Sequence, residues 1–567
     1  MTTPERHSRT AHLESLFGDP FDEANPVGFR RVLEADERGE LLADGERLLD
    51  DWGCNEEFVP RSLGGRWKDT DELVRRLRPV FRRDASLGLG YGVTSLMAAV
   101  NVWAAGDPAQ RRRLSEELRS GGKVAVAFHE LSHGNDFLRN ETRAHPVGDR
   151  MLLNGSKEVI NNVQRAQSMV LFARTATGNG ARDHSVFWLR KDELDSGSLR
   201  YLPRFATAGI RGCRLGGVSF TDCALPDGSL VGTAGGGAET ALRAFQLTRT
   251  VLPGMALGLP DTALHVVSRF ATRRRLYGAA VSDIPHARDT LATAFADLLV
   301  MDCLATTAAR MLHLAPRHVG ATAAAVKYLV PLMLEQSLYQ LSLVLGARFY
   351  LREGPYAVFG KIYRDAPVLS LGHAGGTACL LTIIPQLPLL ARRAWHAEQP
   401  PTALFDTDAP LPELDFQQLA VVGGSADPLA ASLLAEAAQP SGRQDIDALV
   451  SSLAAELRTL QQQCSALPPT ERGPSAGPDT FALAERYTVL LAAAACLGVW
   501  RRHRARPDSG LLGEPQWIHA ALTRLAMRLG LNDGRLPQDA SETLFAELTR
   551  RVDSGLSCCL DASPILR

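Results

Sequence analysis

Between residues 123 and 232 the chain drops helical spacing for short β-type runs, and on both sides of that stretch it reads as helix. This one interruption limits the fold more than any other feature. Upstream, 34–52 (EADERGELLADGERLLDDW) is amphipathic at a period of 3.6 and predicts one helix, and 70–81 begins another. Residues 95–105 (SLMAAVNVWAA) are apolar almost all round, which predicts a buried helix, and 110–118 is followed by the stop signal Ser120-Gly121-Gly122. Inside the interruption, 123–128, 150–154, 168–174, 184–190 and 217–220 are β-rich and separated by Gly, Asn and Asp turns. Helical spacing returns at 239–271, 285–314 and 320–345, where Pro331 is expected to introduce a kink.

The remainder divides at a proline-rich stretch. Residues 399–442 carry Pro400-Pro401, Pro410, Pro412, Gly423-Gly424 and Pro440 and predict a linker with room for one short helix. Beyond it, 445–467, 480–504, 515–529 and 540–556 predict a second, smaller helical unit. The expected order is a helical domain (1–122), a β domain (123–236), a helical bundle (237–398), the linker (399–442) and an extra helical domain (443–567). Segregated helix and sheet make this an α+β fold, not a doubly wound one. Gly235-Gly236-Gly237 lacks the Lys-Ser/Thr of a phosphate loop and reads as a hinge.

At 567 residues the chain is too long for a single core. A net charge of −1 with 22% charged residues argues against a nucleic-acid partner or a charge-held membrane surface. The nine cysteines show no CxxC pair or zinc spacing, which fits reduced thiols in the cytoplasm and no metal site. The first ten residues, MTTPERHSRT, hold no apolar signal core. The longest apolar run, 487–500, is 14 residues against the roughly 20 a bilayer needs, so no transmembrane segment is expected.

Six segments in order resemble the acyl-CoA dehydrogenase family. VAFHELSHGND (126–136) is similar to its TEPGAGSD loop, and GSKEVINN (155–162) to GxKxWITN. The stretch 209–220, followed by Leu225-Pro226 and Gly232, resembles the GxRG segment that closes the family's β domain. RRLYG (274–278) resembles RxxFG, GARFYLREGPYAVFGKIYRD (346–365) resembles GGxGF…RD, and Gly376-Thr377 resembles the end of EGT. The likeness covers about residues 25–395, and the last 125 or so match the extra domain of longer members by position only.

The resemblance implies FAD held between the β domain and the long helices, with Phe128, His129, Gly134, Asn135, Asn161 and Thr377 beside it. It also implies Arg274 and Tyr277, with Gly346 and Ala347, reaching the cofactor of a neighbouring copy in a homodimer or homotetramer. Arginine suits a diphosphate because its planar fork binds phosphate in two places. Asp365, after Arg364, is read as a structural, helix-terminal ion pair. The implied substrate is an acyl thioester of CoA or of a carrier protein, with an electron-transfer flavoprotein or oxygen as acceptor.

One element of the pattern is missing. Aligned on Gly-Thr, Gly375 falls where the family has its glutamate base, and the alternative base position, before Arg249, is Thr248. Counting forward from Asp365 places His373 there instead, and imidazole, with a reference pKa of about 6.5, is a competent base near neutral pH. The expected activity is α,β-dehydrogenation with His373 as base. The alternatives are a flavin monooxygenase on the same fold, which needs no such base, and a base-less subunit completing FAD sites in a hetero-oligomer.

Overall fold

The computed structural model describes residues 3–178, 180–421, 423, 425–507 and 509–565. The interruption is an eight-stranded sheet in the order β6-β7-β3-β2-β4-β5-β8, with β1 added parallel to β4. Its strands are β1 Val124–Ala127, β2 Arg143–Val147, β3 Arg150–Asn161, β4 Ser168–Arg174, β5 His184–Arg190, β6 Leu199–Leu202, β7 Leu215–Ala224 and β8 Leu230–Val231. Three of these were not expected: β2 is mostly exposed, and β6 and β8 are four and two residues long, too short to show alternation.

Strands β4 and β5 join the sheet to the helices through their period of two. Met169, Leu171, Phe187 and Leu189 point into the small β core, while Val170, Phe172, Val186 and Trp188 point into the helical core. Both faces are covered, which is why these strands read as near-continuous apolar runs. Gly237 opens the next helix so close to the sheet that a Cβ there would lie 2.7 Å from His184 O. The triple glycine is a packing contact as well as a turn.

The expected 34–52 helix is two, Phe29–Arg38 and Ala43–Trp52. Gly39 sits between them at φ 65° and donates to Ala35 O and Asp36 O, a left-handed C-cap that stops the first. Likewise 239–271 is split at Leu257 into Gly237–Ala256 and Gly258–Arg273. Helices Pro285–Leu314 and Gly320–Leu345 run unbroken, the second through Pro331. Residues 399–442 are packed rather than free: they include a buried helix, Pro428–Glu436, and Asp427 accepts from Trp395 Nε1 (2.9 Å) and Tyr487 (2.7 Å).

The extension helices Gln444–Ser465, Pro478–Arg504, Pro515–Arg528 and Gln538–Asp553 share one continuous core with the bundle. The tail closes on the bundle too, since Ser557 Oγ and Cys558 N donate to Asp261 (2.7 and 2.8 Å) and Leu560 N to Asp302 (2.8 Å). Among the described residues, four helical stretches are long and apolar enough to cross a membrane: Ala85–Ala105, Pro285–Leu314, Val358–Arg393 and Pro478–Arg504. The unbroken-run criterion therefore missed them, because isolated polar residues interrupt their apolar sequence. Protein already buries 94% of the apolar window in Pro285–Leu314 and 89% of that in Ala85–Ala105.

Candidate functional site at the junction of sheet and bundle

Three segments meet where the sheet abuts the bundle. The first is the loop after β1. Its glutamate, Glu130, is buried and accepts from Lys157 Nζ (2.8 Å), Thr142 Oγ1 (2.7 Å) and the amides of Glu141 and Thr142. Burial pulls Lys157 down to about 8 even with this partner. His129 Nδ1 lies 3.1 Å from Glu158 O, so that nitrogen donates and Nε2 remains an acceptor. Gly134 is at φ 54° with open space around it, and Asn135 is exposed.

The second segment is the end of β3. A register shift against β7 between Glu158 and Ile160 coincides with Val159 at φ 57°, a strained conformation for a β-branched residue. The bulge directs Asn161 toward the helices, where its amide donates to Leu89 O (3.1 Å) and Thr94 Oγ1 (2.8 Å). Its Oδ1 is buried without a partner.

The third is the turn 372–376. His373 and Ala374 adopt φ 49° and 65°, strain of the kind that collects at functional sites. A Cβ on Gly375 would lie 3.2 Å from Asn135 Nδ2, which places this turn against the first loop. Thr377, exposed, is in the first turn of helix Gly376–Ile383. His373 Nε2 lies 2.7 Å from Thr248 Oγ1, so the two positions at which the base was sought are hydrogen-bonded to each other. Burial, then Lys327 and Arg249, hold the His373 imidazole down at about 3.

Sequence reasoning missed two groups here. Lys327 Nζ donates to Leu369 O and Gly372 O (3.0 Å), and burial lowers it to about 8. It is the sole charge between Gly320 and Leu334, a legible signal. The other is an aromatic wedge whose members are far apart in sequence. Phe245 stands edge-on to His373 (4.9 Å) and Phe137 (5.6 Å), and Phe172 packs on Phe128 (5.4 Å) and Phe137 (5.2 Å).

Arg274, Tyr277, Gly346 and Ala347 are not at this junction within one chain. All four are exposed, Tyr277 at 98%, and Gly346 is at φ 57° with nothing within 4 Å. Their segments lie near each other through Phe270 and Tyr356, whose rings are 5.3 Å apart. Asp365 pairs with Lys361 and accepts from Ile210 N (2.6 Å), whereas Arg364 reaches Asp36 (2.7 Å). The expected pair is thus two pairs, and it ties the bundle to both other domains.

Elsewhere, a cleft of about 610 Å³ between bundle and extension is lined by Arg78, Asp302, Glu547 and Arg551, which pair among themselves. Asp261, His265 and Cys558 bring ligand atoms within 4.8 Å, but the Asp261 carboxylate already receives Arg82, Ser557 and the Cys558 amide.

A helical domain, a β domain and a long-helix bundle meet at this junction, with a polar loop and a strained turn between them. The comparisons agree. Residues 125–223 match the model for the acyl-CoA dehydrogenase middle domain, and 235–386 that for the acyl-CoA dehydrogenase C-terminal domain. A probable acyl-CoA dehydrogenase of Mycobacterium tuberculosis is 27% identical over 251 residues, 44% of this chain and 64% of that protein. The match thus spans under two thirds of that relative's length. The mitochondrial isovaleryl-CoA dehydrogenase of rice is 24% identical over 333 residues, 58% of this chain and 78% of that protein. A solved acyl-CoA dehydrogenase from Bacillus anthracis, complexed with FAD, aligns over 100% of this chain and 97% of its own at a TM-score of 0.71 and 16% identity, so the extension too has a structural counterpart. Residues 125–223 and 235–386 are thus similar to the middle and C-terminal domains of the acyl-CoA dehydrogenase family.

Proposed function

We propose that this chain is an FAD-dependent oxidoreductase of the acyl-CoA dehydrogenase type, removing hydrogen from the α and β carbons of an acyl thioester of CoA or of a carrier protein. The observation that carries this reading is the convergence of the 128–136 loop, the β3 bulge and the 372–377 turn on one junction, with Thr248 bonded to His373.

The residues present fit FAD. The acceptor Oδ1 of Asn161 is buried and unmatched, the Gly134 loop has open space beside it, and Arg274 is exposed. His129, Gly134, Asn135, Asn161 and Thr377 would hold the cofactor in one chain, and Arg274, Tyr277, Gly346 and Ala347 would serve the site of a second copy. Their exposure supports a homo-oligomer. FAD, when bound, accepts a hydride, and an electron-transfer flavoprotein or oxygen then takes the electrons.

The chain's own part is to place the thioester and take the α proton. Thr248 Oγ1 lies 2.7 Å from His373 Nε2; in the tautomer with the proton on Nε2 it accepts from that N–H and the lone pair is left on Nδ1. At neutral pH the imidazole is unprotonated, and, held down at about 3, it is a weak base until the charge of Lys327 and Arg249 beside it is offset. The wedge of Phe128, Phe137, Phe172 and Phe245 excludes water from one side of the junction. Anaerobic mixing of the FAD-loaded protein with a panel of acyl thioesters tests the proposal: the visible flavin band is expected to bleach. A band unchanged by every thioester, with rapid reaction of chemically reduced enzyme with oxygen, would favour the monooxygenase instead.

A further inference from the structure

Arg249 and Lys327 are 5% and 1% exposed, yet among the described residues neither has a carboxylate within ion-pair distance. Arg249 donates only to Thr382 Oγ1 (3.1 Å) and lies over the Phe245 ring at 5.4 Å, and its Nε is buried without a partner. Lys327 has only the two carbonyls of the 369–372 segment. The two cations flank one turn: Lys327 holds Gly372, His373 follows, and His373 bonds Thr248, the neighbour of Arg249.

No other group there supplies the missing charge. Of the titratable groups packed against the turn, Cys379 is raised by burial and donates its thiol to Ala374 O (3.5 Å), and Tyr328, beside Gly376, is raised by burial and donates to Glu485 (2.7 Å). Glu335 is hydrogen-bonded to Ser370 and makes no ion pair with Lys327. Two desolvated cations without an anion cost several kcal/mol unless a ligand brings one.

We infer that Arg249 and Lys327 form a carboxylate site beside His373, filled either by a carboxyl group on the acyl chain of the substrate or by a free small carboxylate bound with it. The chemistry favours a carboxylate. Arginine's fork suits its two oxygens, one negative charge suits a site with few donors, and the apolar wall of Phe245 suits the methylene chain that would carry it. A bound carboxylate also offsets the cationic repulsion on His373, leaving burial as the main force against its protonation. The substrate class rests on the thioester reading above; the anion site does not.

The test compares succinyl-, glutaryl- and adipoyl-CoA with the uncharged acyl-CoAs of equal length, reading Kd from the flavin spectrum of the holoenzyme. The carboxylated thioesters are expected to bind about 10- to 100-fold tighter, and Lys327→Met or Arg249→Leu to abolish the preference. If sodium acetate tightens the uncharged thioesters instead, the free carboxylate is the occupant. A second reading is the thermal midpoint in acetate, succinate, phosphate and chloride at equal ionic strength, for wild type and Lys327→Met. Carboxylates are expected to raise the midpoint of the wild type only. If no thioester perturbs the flavin but carboxylates still stabilise the wild type selectively, the thioester reading falls and the anion site stands. Equal binding of both thioester series without an acetate effect, a preference that survives both substitutions, or stabilisation by phosphate alone would overturn the inference.

Discussion

Helices Thr70–Arg83 and Gly237–Ala256 both bury arginine; the first pairs three of its arginines with acids and holds a fourth, Arg83, by the carbonyls of Gly18 and Val27 and the rings of Phe17 and Phe29. In the first, Arg76 meets Glu57 (2.8 Å) and Glu72, Arg78 meets Asp302 (2.9 Å), and Arg82 meets Asp261 (2.7 Å) and Glu14. In the second, Arg249 has a hydroxyl and a ring, with a second unpaired cation, Lys327, beside the same turn. A protein that neutralises three buried arginines on one helix has acids available to its core. What sets the junction apart from Arg83 is that two such cations, Arg249 and Lys327, flank one turn, which is the basis of the carboxylate site proposed above.

The comparison can be broken at several points. The largest effect is expected at the bare site, where His373→Ala should slow flavin bleaching by roughly 10²- to 10⁴-fold, measured by anaerobic stopped flow. An unchanged rate would remove His373 from the proton path. In the compensated cluster, Asp302→Ala leaves the buried Arg78 without its acid and should cost about 3–5 kcal/mol in chemical unfolding, while Arg78→Met with Asp302→Leu should cost less, what remains being the lost hydrogen bonds from Thr306 and Leu560 N.

The next effect is one of pH. The unfolded chain holds the Lys327 proton up to about 10.5 and the folded chain only to about 8, so this group's contribution to stability rises with pH between those values. The stability difference between wild type and Lys327→Met should shift toward the wild type by up to about 3 kcal/mol across that window. His373 acts in the same sense lower down. Its folded value is about 3 against 6.5, so the stability it supports above 6.5 is lost as pH falls toward 3. The smallest effect belongs to a pair in solvent: Arg113→Ala, which removes the exposed bridge to Glu193, should change stability by no more than about 0.5 kcal/mol.

The helix–sheet–helix order was legible because each period is written locally, as in the all-apolar 95–105 segment and the β4 and β5 runs. The break at Gly39 was less so, since a glycine within an amphipathic pattern is also tolerated mid-helix and only tertiary packing decided for the cap. The polar loop could be found through residue order, and so could His373. What spacing could not show is that Thr248 and His373, 125 positions apart, are bonded. Nor could it show that Arg249 lacks an acid, because the absence of a partner is a property of the folded core alone.

The most direct measurement is a crystal structure of the FAD-loaded protein with a non-reactive thioether analogue of a carboxylated acyl-CoA. The flavin ring is expected against 128–135, 159–161 and 373–377, with the acyl carboxylate between Arg249 and Lys327. A cofactor bound elsewhere, or those three segments touching only one another while the ligand lies outside, would contradict the assignment of this junction as the reacting centre.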